Sequence, residues 1–147
     1  MAGQGEAIVR RWVEAFNKKN LSLIEELFTN DYVWHGPELE VRGRDGLRQL
    51  ASMYLGAFPD IVIHIDELIE AGDKVVTRWN CRATHRGELM SVAPTGKTIN
   101  IGGIVISRIA NGKIAEDWEQ FDQFNMFKQI GVLTLAQARA AISAFIY

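Results

Sequence analysis

The apolar periodicity of the chain changes near residue 60, and that change limits the fold more than any other feature. Up to Pro59 apolar residues recur every three or four positions; beyond it they alternate. Residues 6–17 carry Ala7, Ile8, Val9, Trp12, Val13 and Phe16 on one helical stripe. A second short helix is predicted over 21–28 and a third over 44–57, where Leu47, Leu50, Ala51 and Tyr54 align and Pro59 stops the helix. Between them Tyr32–His35 reads as extended, halted by Gly36-Pro37. Four long strands are then predicted over 61–69, 74–85, 98–109 and 113–121. Two of their connections are tight, Ala71-Gly72-Asp73 and Ala110-Asn111-Gly112, and the second holds the Asn-Gly pair favoured in hairpins. A longer loop, 91–96, contains Pro94. Residues 133–147 return to helical spacing, with Thr134 as N-cap and Leu135, Ala138, Ile142 and Phe145 as an apolar stripe.

Helices first and an antiparallel meander second is the order of an α+β fold, not of a parallel doubly wound sheet. A long sheet twists as it grows, so one packed on helices curls into a cone whose open end suits a small-molecule pocket. The 147 residues fit one domain spanning 1–147, large enough for a core and a ligand cavity. A net charge of −2 with no basic block argues against a nucleic-acid partner. No apolar run nears the roughly 20 residues of a membrane helix, so no membrane partner is expected. The segment Met1–Glu6 lacks the basic and apolar regions of a signal peptide, and the single Cys81 has no disulfide partner within the chain. Both point to the cytoplasm.

Candidate site residues come from the strand periodicity. If 113–122 is a regular strand, Ile114, Glu116, Trp118, Gln120 and Asp122 share one face. Asp122 then follows a large aromatic on the same side. In an apolar pocket such a carboxyl gains the raised pKa of a proton shuttle; on the surface it only caps the next helix. His35 is placed to donate to an enolate oxygen, or to hold a backbone carbonyl. Along 74–85, Val76, Arg78, Asn80, Arg82 and Thr84 alternate with Val75, Thr77, Trp79, Cys81, Ala83 and His85. The second, more apolar set is expected to face inward. Arg78 is a candidate oxyanion partner if it turns in, and His85 a candidate at the pocket mouth. Trp34, Trp79, Trp118 and Phe121 are candidate aromatic walls for a flat ligand, or simply core.

Other signals fail. Gly96-Lys97-Thr98 lacks the first glycine of a phosphate-binding loop, since Ser91 stands there. His35, His64 and His85 have no metal-ligand spacing, so no metal is expected. Cys81 sits mid-strand as a small apolar side chain, and no Gly-x-Ser-x-Gly elbow occurs.

Several strings occur in a telling order: His35-Gly36-Pro37, Val41–Gly46 (VRGRDG), Phe58-Pro59-Asp60, Arg78-Trp79, Thr84–Gly87 (THRG), Pro94-Thr95-Gly96, Asn111–Ile114 (NGKI), Trp118–Asp122 (WEQFD) and Gln129-Ile130-Gly131. Together they resemble the SnoaL-like polyketide cyclases of the wider NTF2-like fold, from about Ile8 to Gly131. The resemblance implies a cone with helices on a strongly curved, mostly antiparallel sheet and an internal pocket. It also implies ring closure by intramolecular aldol condensation on a small hydrophobic carbonyl substrate, with neither metal nor organic cofactor. On that resemblance Asp122 matches the acid that gives and takes the proton, with His35 beside it. A homo-oligomer built through the outer sheet face is implied too. Some relatives act in hydroxylation, so membership leaves the reaction open. Two other readings stand beside it: an isomerase or hydratase using the same carboxyl logic, and a module that binds ligands or partners without turnover.

Overall fold

A computed structural model describes residues 3–133 and residue 143. The helix expected over 133–147 therefore lies outside the described residues, but for those two positions. Helix α1 spans Gln4–Asn17; a 3₁₀ turn at Leu21–Leu23 leads into the one-turn helix α2, Ile24–Leu27. Strand β1 (Phe28–His35), the short β2 (Glu40–Arg42) and helix α3 (Gly43–Ala57) follow. The meander is β3 (Val62–Ala71), β4 (Lys74–Thr84), β5 (Thr98–Ala110) and β6 (Lys113–Phe121), and α4 (Gln123–Gln129) closes the described chain. The expected helix over 21–28 ends one residue early, because Phe28 is already extended (φ −120°, ψ 147°) and opens β1. Strand β2 and helix α4 are additions to the expected elements; neither has a long apolar pattern of its own.

All six strands form one sheet in the order β2-β1-β6-β5-β4-β3. Every neighbouring pair is antiparallel except β1–β6, which is parallel. This is the mostly antiparallel α+β arrangement that the periodicity predicts.

Helix α1 lies over β3, held at both ends. Glu70 accepts from the Gly5 backbone N–H at 2.8 Å. At the other end Asn17 behaves like one more strand residue: its Nδ2 donates to the Ile63 carbonyl at 2.9 Å and its Oδ1 accepts from the Ile63 N–H at 2.8 Å. Arg44, at the start of α3, ties that helix to β1 through the Phe28 carbonyl. The buried apolar residues form two clusters, one around Phe58, Cys81, Ile99 and Met126, the other around Ile24, Phe28, Tyr32 and Ile114. A cavity lies between them.

Strand β6 carries the irregularity that sets the site. Arg108 pairs with Glu116, but the next residue, Ile109, pairs with Ile114. Ala115 is thus an extra residue, a bulge. Beyond it the alternation changes phase: Asp117, Glu119 and Phe121 face the helices, and Glu116, Trp118 and Gln120 face out.

Candidate active site

The cavity holds about 180 Å³ and is walled by α1, α3 and the concave side of the sheet. Eight aromatic rings line it among aliphatic side chains: Trp12, Phe16, Tyr32, Trp34, Tyr54, Phe58, Trp79 and Phe121. Two carboxyl groups enter it, Asp117 and Glu119, two residues apart on β6. Among the described residues no Lys, Arg or His lines it.

Glu119 is held by two indoles. Trp34 Nε1, from β1, donates to Oε1 at 2.9 Å. Trp79 Nε1, from β4, donates to Oε2 at 2.9 Å. Loss of water pushes the carboxyl up to about 7, with the neighbouring Asp117 charge adding to the rise and the two indole bonds opposing it. Glu119 keeps some accessible surface, and it lines the cavity.

Asp117 is buried, at 6% exposure. Tyr32 Oη donates to its Oδ2 at 2.5 Å. Oδ1 is enclosed without a well-formed hydrogen bond, although Ser107 stands opposite it in the ladder. Burial lifts this acid to about 6, while Ser107 and Tyr32 favour its charged form. Tyr32 itself is raised well above the usual phenol range by burial and the Asp117 charge. Tyr54 is raised to about 12 by burial, so its hydroxyl stays a donor at any ordinary pH. Cys81, also on the wall, is pushed up to about 11 by burial, which keeps it a thiol.

The residues singled out in the sequence divide between the two faces. Trp34, Trp79 and Phe121 line the cavity. Asp122 does not. It is exposed, and its Oδ1 accepts from the Asn125 N–H at 3.1 Å as the N-cap of α4. Its expected place in an apolar pocket is corrected by the Ala115 bulge and by the end of β6 at Phe121. His35 lies on the outer side, stacked on Trp118 (centroids 5.5 Å, planes 12° apart). Its Nε2 is 2.7 Å from Glu116 and its Nδ1 3.1 Å from Glu40. Trp118, expected as a wall, is 39% exposed. Arg78 also points out, paired with Asp66 and Glu67 at 3.3 and 3.5 Å. His85 is fully buried beside Phe58, not at a mouth; its Nδ1 accepts from the Thr95 N–H and so pins the β4–β5 loop.

The sequence reading passed over Asp117 and Glu119. Their signal was present: Asp117, Glu119 and Phe121 alternate in phase. Choosing that phase over the one containing Trp118 needs the bulge, which no residue type announces.

Among the described residues no group of side chains is arranged to hold a metal, and no helix is long and apolar enough to cross a membrane.

A sequence model of the SnoaL-like polyketide cyclase family matches residues 6–130. The aklanonic acid methyl ester cyclase DauD of Streptomyces sp. (strain C5) is 28% identical over 131 residues, spanning 84% of this chain and 80% of that protein. Among solved structures, AclR from Streptomyces galilaeus, a candidate hydroxylase, superposes with a TM-score of 0.79 at 28% identity, covering 88% of this chain and 97% of that one. IdmH from Streptomyces antibioticus, a candidate polyketide cyclase, gives 0.77 at 30% identity, covering 88% and 99%. The family match spans most of the chain and agrees with the fold, so this protein belongs to the SnoaL-like polyketide cyclase family.

Proposed function

We propose that the chain closes a ring of an uncharged, hydrophobic polycarbonyl compound by intramolecular aldol condensation, without a cofactor, and that Glu119 moves the proton. The observation that carries this reading is a carboxyl near neutrality inside an aromatic cavity. A base is most useful when its pKa lies near the working pH, since it then accepts and returns a proton with little cost in either direction.

In this scheme Glu119 carboxylate takes a proton from the carbon between two carbonyls. The enolate carbon attacks a second carbonyl of the same molecule, forming the ring bond and an alkoxide. The alkoxide takes the proton back from the Glu119 carboxyl. Tyr54, held in its protonated form, is the neutral donor available to a developing oxyanion. Flat rings of the product have aromatic surfaces to lie against.

Charge narrows the substrate. With two acids and no cation lining it among the described residues, a ligand carboxylate would be repelled and left without a partner there. The relative DauD is named for a methyl ester, in which that charge is masked. The deciding experiment is Glu119→Gln assayed with polycarbonyl esters. Turnover should fall at least 100-fold while ligand binding persists. Unchanged turnover would sink the role given to Glu119. A product with an added oxygen and no new ring would replace this reading by the hydroxylation that AclR's description raises. A ligand retained unchanged would leave a binding module.

We further propose that the protein self-associates through the outer side of the sheet. The ladder sets Ile69, Val76, Ile106, Trp118 and His35 in one row across five strands. Ile69, Ile104, Ile106 and Trp118 are all substantially exposed there, which supports a partner surface. Cys81 as a buried free thiol is in keeping with a reducing, cytoplasmic setting.

A further inference from the structure

We propose that Trp34 and Trp79, each seated on a glycine, act as a two-armed clamp that keeps the Glu119 carboxyl in one orientation whether or not it carries a proton. This rests on the role given to Glu119 above, but the clamp can be measured without any substrate.

The geometry is specific. One indole serves each oxygen, and each bond is 2.9 Å. The arms come from opposite sides, β1 and β4, with Glu119 on β6 between them in the fold. An indole N–H only donates, so neither arm can take the proton from the acid. A protonated carboxyl retains acceptor lone pairs on both oxygens, so both arms can stay attached through a proton cycle. A lysine or arginine in the same place would also orient the acid, but would hold it ionised and make it a poor base. Neutral arms fix the direction of the carboxyl and leave its proton affinity near that needed for transfer.

Each arm also depends on a missing side chain. A Cβ on Gly36 would stand 2.0 Å from the Trp34 ring. A Cβ on Gly103, which faces Trp79 across the β4–β5 ladder, would stand 2.6 Å from the Trp79 ring. It would also meet the Gln120 carbonyl and the Phe121 Cβ, both at 2.8 Å. Neither glycine has a positive φ, so close approach of the indoles accounts for glycine better than backbone conformation does. Trp34, Trp79, Gly36 and Gly103 are accordingly positioning residues acting through Glu119.

The other titratable groups on the cavity wall are Asp117 on β6, Tyr32 on β1, Tyr54 on α3 and Cys81 on β4; α1 and β5 contribute none. Of these only Asp117 ionises in the same range as Glu119.

The test is a pH titration of the four indole N–H signals by ¹⁵N–¹H NMR on the whole protein, with signals assigned by Trp34→Phe and Trp79→Phe. The Trp34 and Trp79 signals should move together through one midpoint near 7. Asp117→Asn should keep that common movement with a lower midpoint, and Glu119→Gln should abolish it. Trp79→Phe should raise the midpoint read at Trp34 by roughly half to one pH unit, the equivalent of one lost neutral hydrogen bond. Gly36→Ala should weaken the response of Trp34 and raise the midpoint read at Trp79. Separate midpoints for the two indoles, or a common movement that survives Glu119→Gln, would overturn the clamp. If a phenylalanine variant does not fold, Trp12→Phe and Trp118→Phe complete the assignment, and the wild-type, Asp117→Asn and Glu119→Gln titrations still decide. A clamp seen by NMR with full turnover in Glu119→Gln would keep this inference and remove the catalytic role.

Discussion

Tyr32 on β1 donates its hydroxyl to Asp117 on β6 at 2.5 Å, a buried bond across the one parallel strand pair of the sheet. It gives the acid with the deepest burial in the cavity a partner that cannot itself ionise at ordinary pH. Replacing it shows how much of the Asp117 charge the fold tolerates.

Tyr32→Phe removes a donor that favours the charged form of Asp117, so the acid's midpoint should rise above about 6. The loss of stability should be roughly 1–3 kcal/mol at pH 8, where the carboxylate is left short of donors, and smaller at pH 5. Urea unfolding at the two pH values checks this; an equal loss at both would contradict it.

The two cavity acids also make stability depend on pH. Their folded-state values, about 6 and about 7, lie above the ordinary 3.8 and 4.5. The folded state therefore holds more protons than the unfolded chain between about pH 4 and 7. Their contribution is fully present below pH 4, falls as pH rises through 6 and 7, and is flat beyond. Glu119→Gln should be more stable than the wild type at pH 8, by on the order of 1–2 kcal/mol, and less stable than the wild type at pH 4. The gain is held down because the amide NH₂ faces one indole donor. A scan of thermal midpoint against pH for both proteins reads the sign directly.

Asp122 offers the opposite contrast. As an exposed N-cap its replacement by Ala should cost about 1 kcal/mol, read by chemical denaturation, and leave turnover within a few-fold of wild type. A collapse of turnover with intact stability would return Asp122 to the centre of the chemistry.

Asn17→Ala should destabilise the fold by roughly 1–3 kcal/mol, because it strips both bonds that fasten the end of α1 to Ile63. The Ile63 side chain lines the cavity, so ligand affinity should fall as well. Calorimetry of unfolding and of binding separates the two effects.

Self-association is checked at Ile106, in the middle of the exposed apolar row. Ile106→Asp should shift the wild-type oligomer to monomer in light scattering, without loss of the folded signal. A wild-type protein that is monomeric at high concentration would remove the proposal.

Much of this molecule was legible in the amino-acid order. Period-two patterning located β3 to β6 closely, because long half-buried strands must alternate. The same alternation on β4 separated Trp79 from Arg78 correctly: one lines the cavity, the other pairs with acids in water. It failed on β6, where counting from Ile114 put Trp118 and Asp122 on the inner side. A period-two argument carries no error signal when one residue is added, so every assignment beyond Ala115 inverts together. His35 was misplaced for a related reason. It neighbours Trp34 in sequence, and neighbours on a strand face opposite ways. Helix α4 was announced only by the capping alternative for Asp122, which the structure bears out, because its seven residues carry no long apolar pattern.

The Ala115 bulge has a consequence for anyone editing this chain. Deleting that single residue would leave Ile109–Ile114 and Arg108–Glu116 as successive rungs of an unbroken ladder, with both acids still on the cavity side. Pairing Ala115 as an ordinary rung would instead turn the two acids toward solvent and drive an indole and an amide into the space they vacate. One residue left out of the ladder thus decides which side of the strand is wet.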